Sequence, residues 1–394
     1  MKAAVVHGKN DIRVEDYPTP SAAAGEMVVK VKASGICATD IKTLLGQGLP
    51  KDLPTILGHE VVGEVHQLGA GVTGAAKMAL AEGIRYANER KQFGRQISSF
   101  GAIQEKIADL TAALYASESL VYRLAGLLDD KLATIDKGVD DYYVQYQKGI
   151  EEYAPECGIS KVFCSEVLAK TVDEVVQIHG GYGFCSEYPA ERYYRDERIN
   201  RIFEGTNEIN RLLITGMILR RAMKGELPLQ TEAMKAFESL MTPSFDEIDE
   251  SIPFITEKTT LQNLKTLFLI LSGAGVQKYM DKLAEEQEIL MTASDLAIQI
   301  FAIESAVLRA EKIIGKLSAT KQEQLKAAVK VFTFNATETA ASAARKGAYF
   351  IEEGDTLTMI LSGVRRFTKY DASGLLQAKR TLAAAANEAE KYIF

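Results

Sequence analysis

The chain has 394 residues, 47% of them hydrophobic and 25% charged, with a formal net charge of −7 and a pI near 5.4. That balance excludes a nucleic-acid backbone as partner, because no basic surplus exists to neutralise phosphates. Four cysteines (Cys37, Cys157, Cys164 and Cys185) form no C-x-x-C pair, which argues against a disulfide framework and for a reducing compartment.

Residues 1–74 are strand-like. "MKAAVV", "GEMVVKVKAS" and "EVVGEVHQL" are short β-branched runs separated by turn-rich loops, and they suit a small barrel or sandwich. The opening residues lack an apolar core of signal-peptide length. The apolar run Leu267–Leu271 is far short of the ~20 residues that span a bilayer, so the expected location is cytoplasmic. A G-x-G-x-x-G at Gly69, Gly71 and Gly74 has the letters of a dinucleotide-binding turn. Such a turn needs a second strand after its helix and an acidic residue about 20 positions on. No strand follows here, and the expected reading is a loop of the β-domain joined to a helix.

From Ala75 onward the period changes to that of helices. Ile103, Ile107, Leu110, Leu114, Val121, Leu124 and Leu128 make one apolar stripe between Ser99 and Lys131, and Ile159, Val162, Val172 and Val175 mark a second helix over 156–178. Four or five helices to about residue 223 predict an antiparallel bundle. "KGELPL" (Lys224–Leu229) reads as a linker, and the remainder is helical, with turns at "SGAG", "EEGD" and "ASG". The expected architecture is multidomain and mainly α. It comprises a β-rich segment (1–74), a helical bundle (75–228) and a helical extension (229–394).

Two family resemblances sit in these pieces. "GICATD" and "GHEVVGEVHQLGAGV" resemble zinc-dependent alcohol dehydrogenases of the medium-chain family. The resemblance implies a GroES-like fold, with Cys37 and His59 as zinc ligands and Glu60 nearby or alternately ligating. It also implies Thr39 as proton relay and Asp40 as the group orienting His59. A thiolate and an imidazole with an open position suit Zn²⁺ as a Lewis acid. The third ligand, the structural-zinc cysteines and the NAD-binding domain do not follow, so Cys37 and His59 are equally readable as polar members of a truncated β-domain.

"ERKQFGRQISSFGAIQEKIADL", "VDEVVQIHGGYGF" and "YPAERYYRDERINRIFEGTNEINRLL" resemble the C-terminal part of acyl-CoA dehydrogenases, most closely the very-long-chain branch. The resemblance implies Glu204 as the base that removes a proton α to a thioester carbonyl, a task for a positioned carboxylate. The Glu204 N–H is then a donor to the thioester oxygen, and the β-hydride passes to FAD. Thr206 and Glu208 fall at the flavin diphosphate and its neighbourhood. Arg90, Phe93, Gln177, Gly180 and Gly181 fall at the adenosine–pyrophosphate end of FAD bound by a neighbouring subunit, which implies a homodimer. An acyl-CoA substrate and electron-transfer flavoprotein as acceptor complete the implication.

Each residue also has a plainer reading. Arg90 would be a solvated helix end, His179 a helix C-cap and Glu204 an N-terminal helix acid. "DTLTMILSGVRRFTKY" would pack in the core rather than touch a membrane. Beside the flavin-linked dehydrogenase stand two alternatives, a zinc- and NAD-dependent alcohol dehydrogenase fragment and a non-catalytic fusion whose helices only oligomerise.

Overall fold

The computed structural model describes residues 2–18, 33–34, 44, 54–56, 61–62, 67–139, 141–241, 249 and 251–394. They divide into two compact units, Met1–Gln67 and Leu68–Phe394.

In the first unit β1 (Lys2–Gly8) and β2 (Asp11–Asp16) form an antiparallel hairpin. The hairpin turns at Asn10, whose φ of 59° suits an asparagine. The sequence reading has no separate strand at β2. Its side chains are mostly exposed, so the buried-face alternation that announces a strand is absent. β4 (Thr55–Ile56) adds to the other edge of β1. β3 (Ala33–Ser34) pairs with β5 (Val61–Val62). Val5 and Val6 are the buried side chains of β1.

The second unit is helical: α1 (Gln67–Glu89), α2 (Gly101–Ala133), α3 (Tyr142–Glu151), α4 (Ala154–His179), α5 (Pro189–Glu197) and α6 (Asn207–Met223). It continues with α7 (Leu229–Met241), α8 (Ile255–Tyr279), α9 (Gln287–Ile314), α10 (Ala319–Ile351), α11 (Gly354–Phe367) and α12 (Leu375–Ala389). The stripe of Ile107, Leu110, Leu114, Leu124 and Leu128 is buried, as are Ile159, Val162, Val172 and Val175. Ile107, Leu110 and Leu114 of the first face and all four of the second join one continuous core with Leu264 and Leu267 of α8, Leu296 and Ile303 of α9 and Val329 of α10. The residues before and after Leu229 therefore belong to a single compact unit rather than to two separate cores.

Two local expectations are corrected. Gly69, Gly71 and Gly74 lie inside α1, not in a loop. The helical stripe of Ala76, Ala79, Leu80, Ile84 and Ala87 extends back to Val72, so burial of one face carries the helix across the glycines. Close approach to α4 explains the first of them. A Cβ at Gly69 would stand 2.3 Å from the Ser160 hydroxyl oxygen. "SGAG" lies inside α8 rather than at a turn, and its Gly273 is explained by packing, since a Cβ there would meet that of Ala233 at 2.7 Å. Small residues there let α7 and α8 pack closely.

α9 is long and apolar enough to cross a membrane by length and composition. Leu296, Ile298, Ala302, Ile303 and Ala306 bury it in the core instead. The amphipathic α11 likewise turns Ile360, Val364 and Phe367 inward.

Candidate functional site

Two helix ends gather the predicted side chains. At the first, α1 runs out at Glu89, and the hairpin of β6 (Lys91–Gln92) and β7 (Arg95–Gln96) follows. Phe93 sits at its tip with φ 52° and is 92% exposed. Beside it α4 stops at His179, because Gly180 adopts φ 60° and a 3₁₀ turn over Gly180–Phe184 begins. His179 is the last helical residue, and the C-cap falls one position later than the sequence reading places it.

The two ends are tied together. The Tyr86 hydroxyl donates to the His179 carbonyl at 3.2 Å, and the Tyr86 ring stacks on the imidazole at 4.0 Å and 21°. His179 Nδ1 is 2.8 Å from the Val175 carbonyl. A carbonyl only accepts, so Nδ1 is the donor of this pair, and Nε2 is the other ring nitrogen. That Nε2 is buried and has no partner among the described residues. Burial pushes the Tyr86 phenol above its ordinary range against the opposing charge of Arg90. The Arg90 guanidinium lies over the Tyr182 ring at 5.3 Å. Arg90, Gln92, His179, Gly180, Gly181 and Tyr182 border an open cleft of about 470 Å³. Side chains at Gly180 or Gly181 would meet nothing within 4 Å, so bare backbone faces open space there.

At the second helix end, Glu204 and Gly205 are consecutive left-handed residues with φ of 54° and 77°. Thr206 then caps α6, its hydroxyl accepting from the Ile209 N–H at 3.3 Å. The Glu204 carboxylate is exposed. Among the described residues it has no hydrogen-bond or ion-pair partner. Its N–H likewise makes no hydrogen bond among the described residues. Glu208 stands in the first turn of α6, where its own N–H and the Thr206 hydroxyl hold its carboxyl below the usual range.

Beneath this turn lies a polar cluster. Lys161 Nζ donates to the Gly205 carbonyl and to Asn207 Oδ1, both at 2.7 Å. Asn207 Nδ2 donates to Ser165 Oγ and Glu166 Oε1, both at 3.1 Å. Arg211 grips Glu166 with two nitrogens, at 2.8 and 3.1 Å, and donates to Asp295 at 2.7 Å. Burial pulls the Lys161 ammonium below the ordinary lysine range, opposed by Glu208, Glu166 and Glu204. For Arg211 burial acts downward too, but Glu166 and Asp295 outweigh it and keep the guanidinium charged.

The structure thus brings Arg90, Gly180 and Gly181 to one cleft and Glu204, Thr206 and Glu208 to the start of α6. Phe93 is not among the cleft-lining residues. Gln177 is exposed, and its carbonyl caps α4 by accepting from Gly180 N. Cys37, Thr39, Asp40, His59 and Glu60 lie outside the described residues, and among those described no cluster of three ligating side chains forms a metal site. Lys161, Asn207 and Asn210 escape a reading of motifs. Lys161 and Asn207 meet across 46 positions, and nothing in the letters pairs them.

Comparison with known proteins follows this division. The family model for the acyl-CoA dehydrogenase C-terminal domain matches residues 66–219, and a second C-terminal-domain model of the same family matches 263–366. The alcohol dehydrogenase GroES-like domain matches residues 23–80, overlapping the first match along α1. A probable acyl-CoA dehydrogenase of Bacillus subtilis is 40% identical over 371 residues, which is 92% of this chain and 62% of that protein. The very long-chain specific acyl-CoA dehydrogenase of Rattus norvegicus is 32% identical over 65% of this chain and 39% of its own length. An acyl-CoA dehydrogenase from Bacillus anthracis, solved in complex with FAD, superposes with a TM-score of 0.80 at 41% identity. That match covers 86% of this chain and 61% of that one. The chain therefore spans about three-fifths of the length of its Bacillus relatives. With both C-terminal domain models matched in order and the fold reproduced, the helical body of this chain belongs to the acyl-CoA dehydrogenase family.

Proposed function

We propose that this chain takes part in the FAD-linked α,β-dehydrogenation of an acyl-CoA thioester, with Glu204 as the base. The observation that carries the reading is the Glu204 carboxylate, exposed and, among the described residues, unpartnered on a left-handed turn at the N-terminus of α6. A free carboxylate carried on a fixed turn suits proton abstraction. The open N–H of the same residue is a donor for the thioester oxygen as negative charge develops there.

The residues present also fit part of the cofactor. The cleft offers a guanidinium at Arg90 and open glycine backbone at Gly180 and Gly181. Those features suit the adenosine–pyrophosphate end of FAD, and the Bacillus anthracis relative was solved with that cofactor. FAD, when bound, supplies the acceptor for the β-hydride. Arg90 would hold the pyrophosphate charge, and Thr206 with Glu208 would border the flavin at the other helix end. In this reading the cleft serves a second copy of the chain, so the working form is a homo-oligomer. Its electrons pass to an electron-transfer flavoprotein. A relative that is 39% identical over 38% of this chain is a subunit of a caffeyl-CoA reductase–Etf complex, which supports that acceptor class.

The test is an absorption spectrum of the purified chain after incubation with FAD and desalting, followed by acyl-CoA turnover of the parent and of Glu204→Gln. The expected result is a retained flavin band in both, with turnover lost at least a thousandfold in Glu204→Gln. A colourless protein would overturn the reading for this chain.

A further inference from the structure

The turn that presents Glu204 is held against its own backbone preference. A glutamate at φ 54° occupies the left-handed region that side-chain-bearing residues rarely adopt. Such strain persists only where surrounding structure over-determines it. Two side chains from different helices supply that constraint, and they share the Gly205 carbonyl. From α4, Lys161 is 6% exposed and donates to the Gly205 carbonyl at 2.7 Å. From α6, the Asn210 amide reaches back to three successive carbonyls, those of Glu204 (3.2 Å), Gly205 (2.8 Å) and Thr206 (3.1 Å). Gly205 is required beneath it. Beyond its φ of 77°, a Cβ at this position would stand 3.1 Å from Asn210 Nδ2. Lys161 is fixed in turn by Asn207, and Asn207 by Ser165 and Glu166.

We infer that Lys161 and Asn210 are positioning residues, a clamp from two helices that keeps Glu204 left-handed and so sets where its side chain leaves the turn. The purpose assigned to the clamp rests on the reading of Glu204 as the base; the clamp itself rests on the hydrogen bonds. Three carbonyls pointing at one amide and one ammonium turn the N–H groups of the same peptides, those of Gly205, Thr206 and Asn207, the other way. The arrangement therefore fixes the backbone that follows Glu204 and with it the direction in which its side chain leaves the turn. Other charges surround the ammonium: Glu208 and Arg211 on α6, Glu166 on α4, and Asp295 on α9 through Arg211.

The experiment needs neither flavin nor turnover. Hydrogen exchange measured by mass spectrometry on the full chain compares Lys161→Met, Asn210→Ala and the parent, with peptides from α9 and α10 reporting global stability. The expected result is at least tenfold faster exchange in the peptide over residues 203–210, with α9 and α10 unchanged. The second measurement is a thermal cycle. Glu204→Gly should raise the melting temperature of the parent, because glycine adopts the left-handed conformation freely. It should give little or no rise in Asn210→Ala, where the turn has already relaxed. A side chain that only adds stability would lower the melting temperature equally whichever residue stands at 204. Equal rises in both backgrounds, or exchange that accelerates uniformly, would overturn the clamp. Should Lys161→Met not fold, the Asn210→Ala cycle decides alone. Failure to retain flavin would sink the functional reading and leave these results untouched.

Discussion

Tyr86 and His179 are joined twice, by a hydroxyl-to-carbonyl hydrogen bond at 3.2 Å and by ring stacking at 4.0 Å. The pair locks the end of α4 to the last turns of α1 and so sets the walls of the cleft. Tyr86→Ala removes both contacts, and an aromatic pair of this kind contributes about 1 kcal/mol beyond its buried area. The expected outcome is a lower melting temperature and at least tenfold weaker FAD retention by equilibrium dialysis. Tyr86→Phe keeps the stack and should stay within about threefold of the parent. Equal loss in both variants would assign the effect to the hydroxyl alone.

The three glycines of the G-x-G-x-x-G make a sharper test of α1. Gly69→Ala drives a methyl into Ser160 and should destabilise the helical unit by about 1–3 kcal/mol. Gly71 and Gly74 have nothing within 4 Å of a Cβ, so alanine at either should stabilise by ~0.5–1 kcal/mol through helix propensity. Denaturant titration of the three variants reads this directly. Destabilisation by all three would argue for a turn rather than a helix.

Glu118 is buried and ion-paired to Lys77 and to Arg309 at 2.7 Å, and the Tyr392 hydroxyl donates to it at 2.9 Å. Burial pushes its carboxyl up, but the two cations outweigh burial and hold it below its ordinary value of 4.5. A depressed carboxyl contributes stability that is present above the unfolded value and lost as pH falls through the folded one. Glu118→Gln should therefore cost about 2–3 kcal/mol at pH 7, less than for a fully buried pair because both cations keep some solvent. The gap between parent and variant melting temperatures should close as the pH drops below 4.5 and through the lowered folded value. A gap that is constant with pH would mean that the charge contributes nothing.

Glu156 behaves in the opposite sense. Its Oε2 is buried with no partner among the described residues, and burial raises its carboxyl above 4.5. The folded state then binds the proton more tightly than the unfolded chain does. Stability from this group is present below the unfolded value and lost as pH rises through the raised one. Glu156→Gln should raise the melting temperature at pH 7.5, by an amount worth about 1 kcal/mol, and change little at pH 4. A variant that is less stable at pH 7.5 would show that the carboxylate favours the N-terminus of α4 more than burial penalises it.

The parts of this fold legible in the letters are those whose signal is local and periodic. The stripe through Ile107, Leu110 and Leu114 announces α2, and Thr206 before Asn207 announces the start of α6, because burial of one face and capping of free N–H groups act within a few residues. "SGAG" and the G-x-G-x-x-G misled for the same reason. Glycine favours a turn in isolation, and only the neighbouring Ala233 and Ser160 show why a helix needs it there. At the candidate site, Arg90, Gly180, Gly181 and Glu204 were visible as motifs. Lys161, Asn210 and Tyr86 were not, since the partners of Lys161 and Tyr86 lie 44 and 93 positions away.

By itself, the sequence determined the helical character of the body and its family, and it singled out Glu204 as the candidate carboxylate. Tertiary structure decided which residues hold that carboxylate in a left-handed turn and which pair shapes the cleft. It also carried α1 through the glycines. Those outcomes depend on contacts between segments far apart in the chain, and their energies arise only when packing brings the segments together.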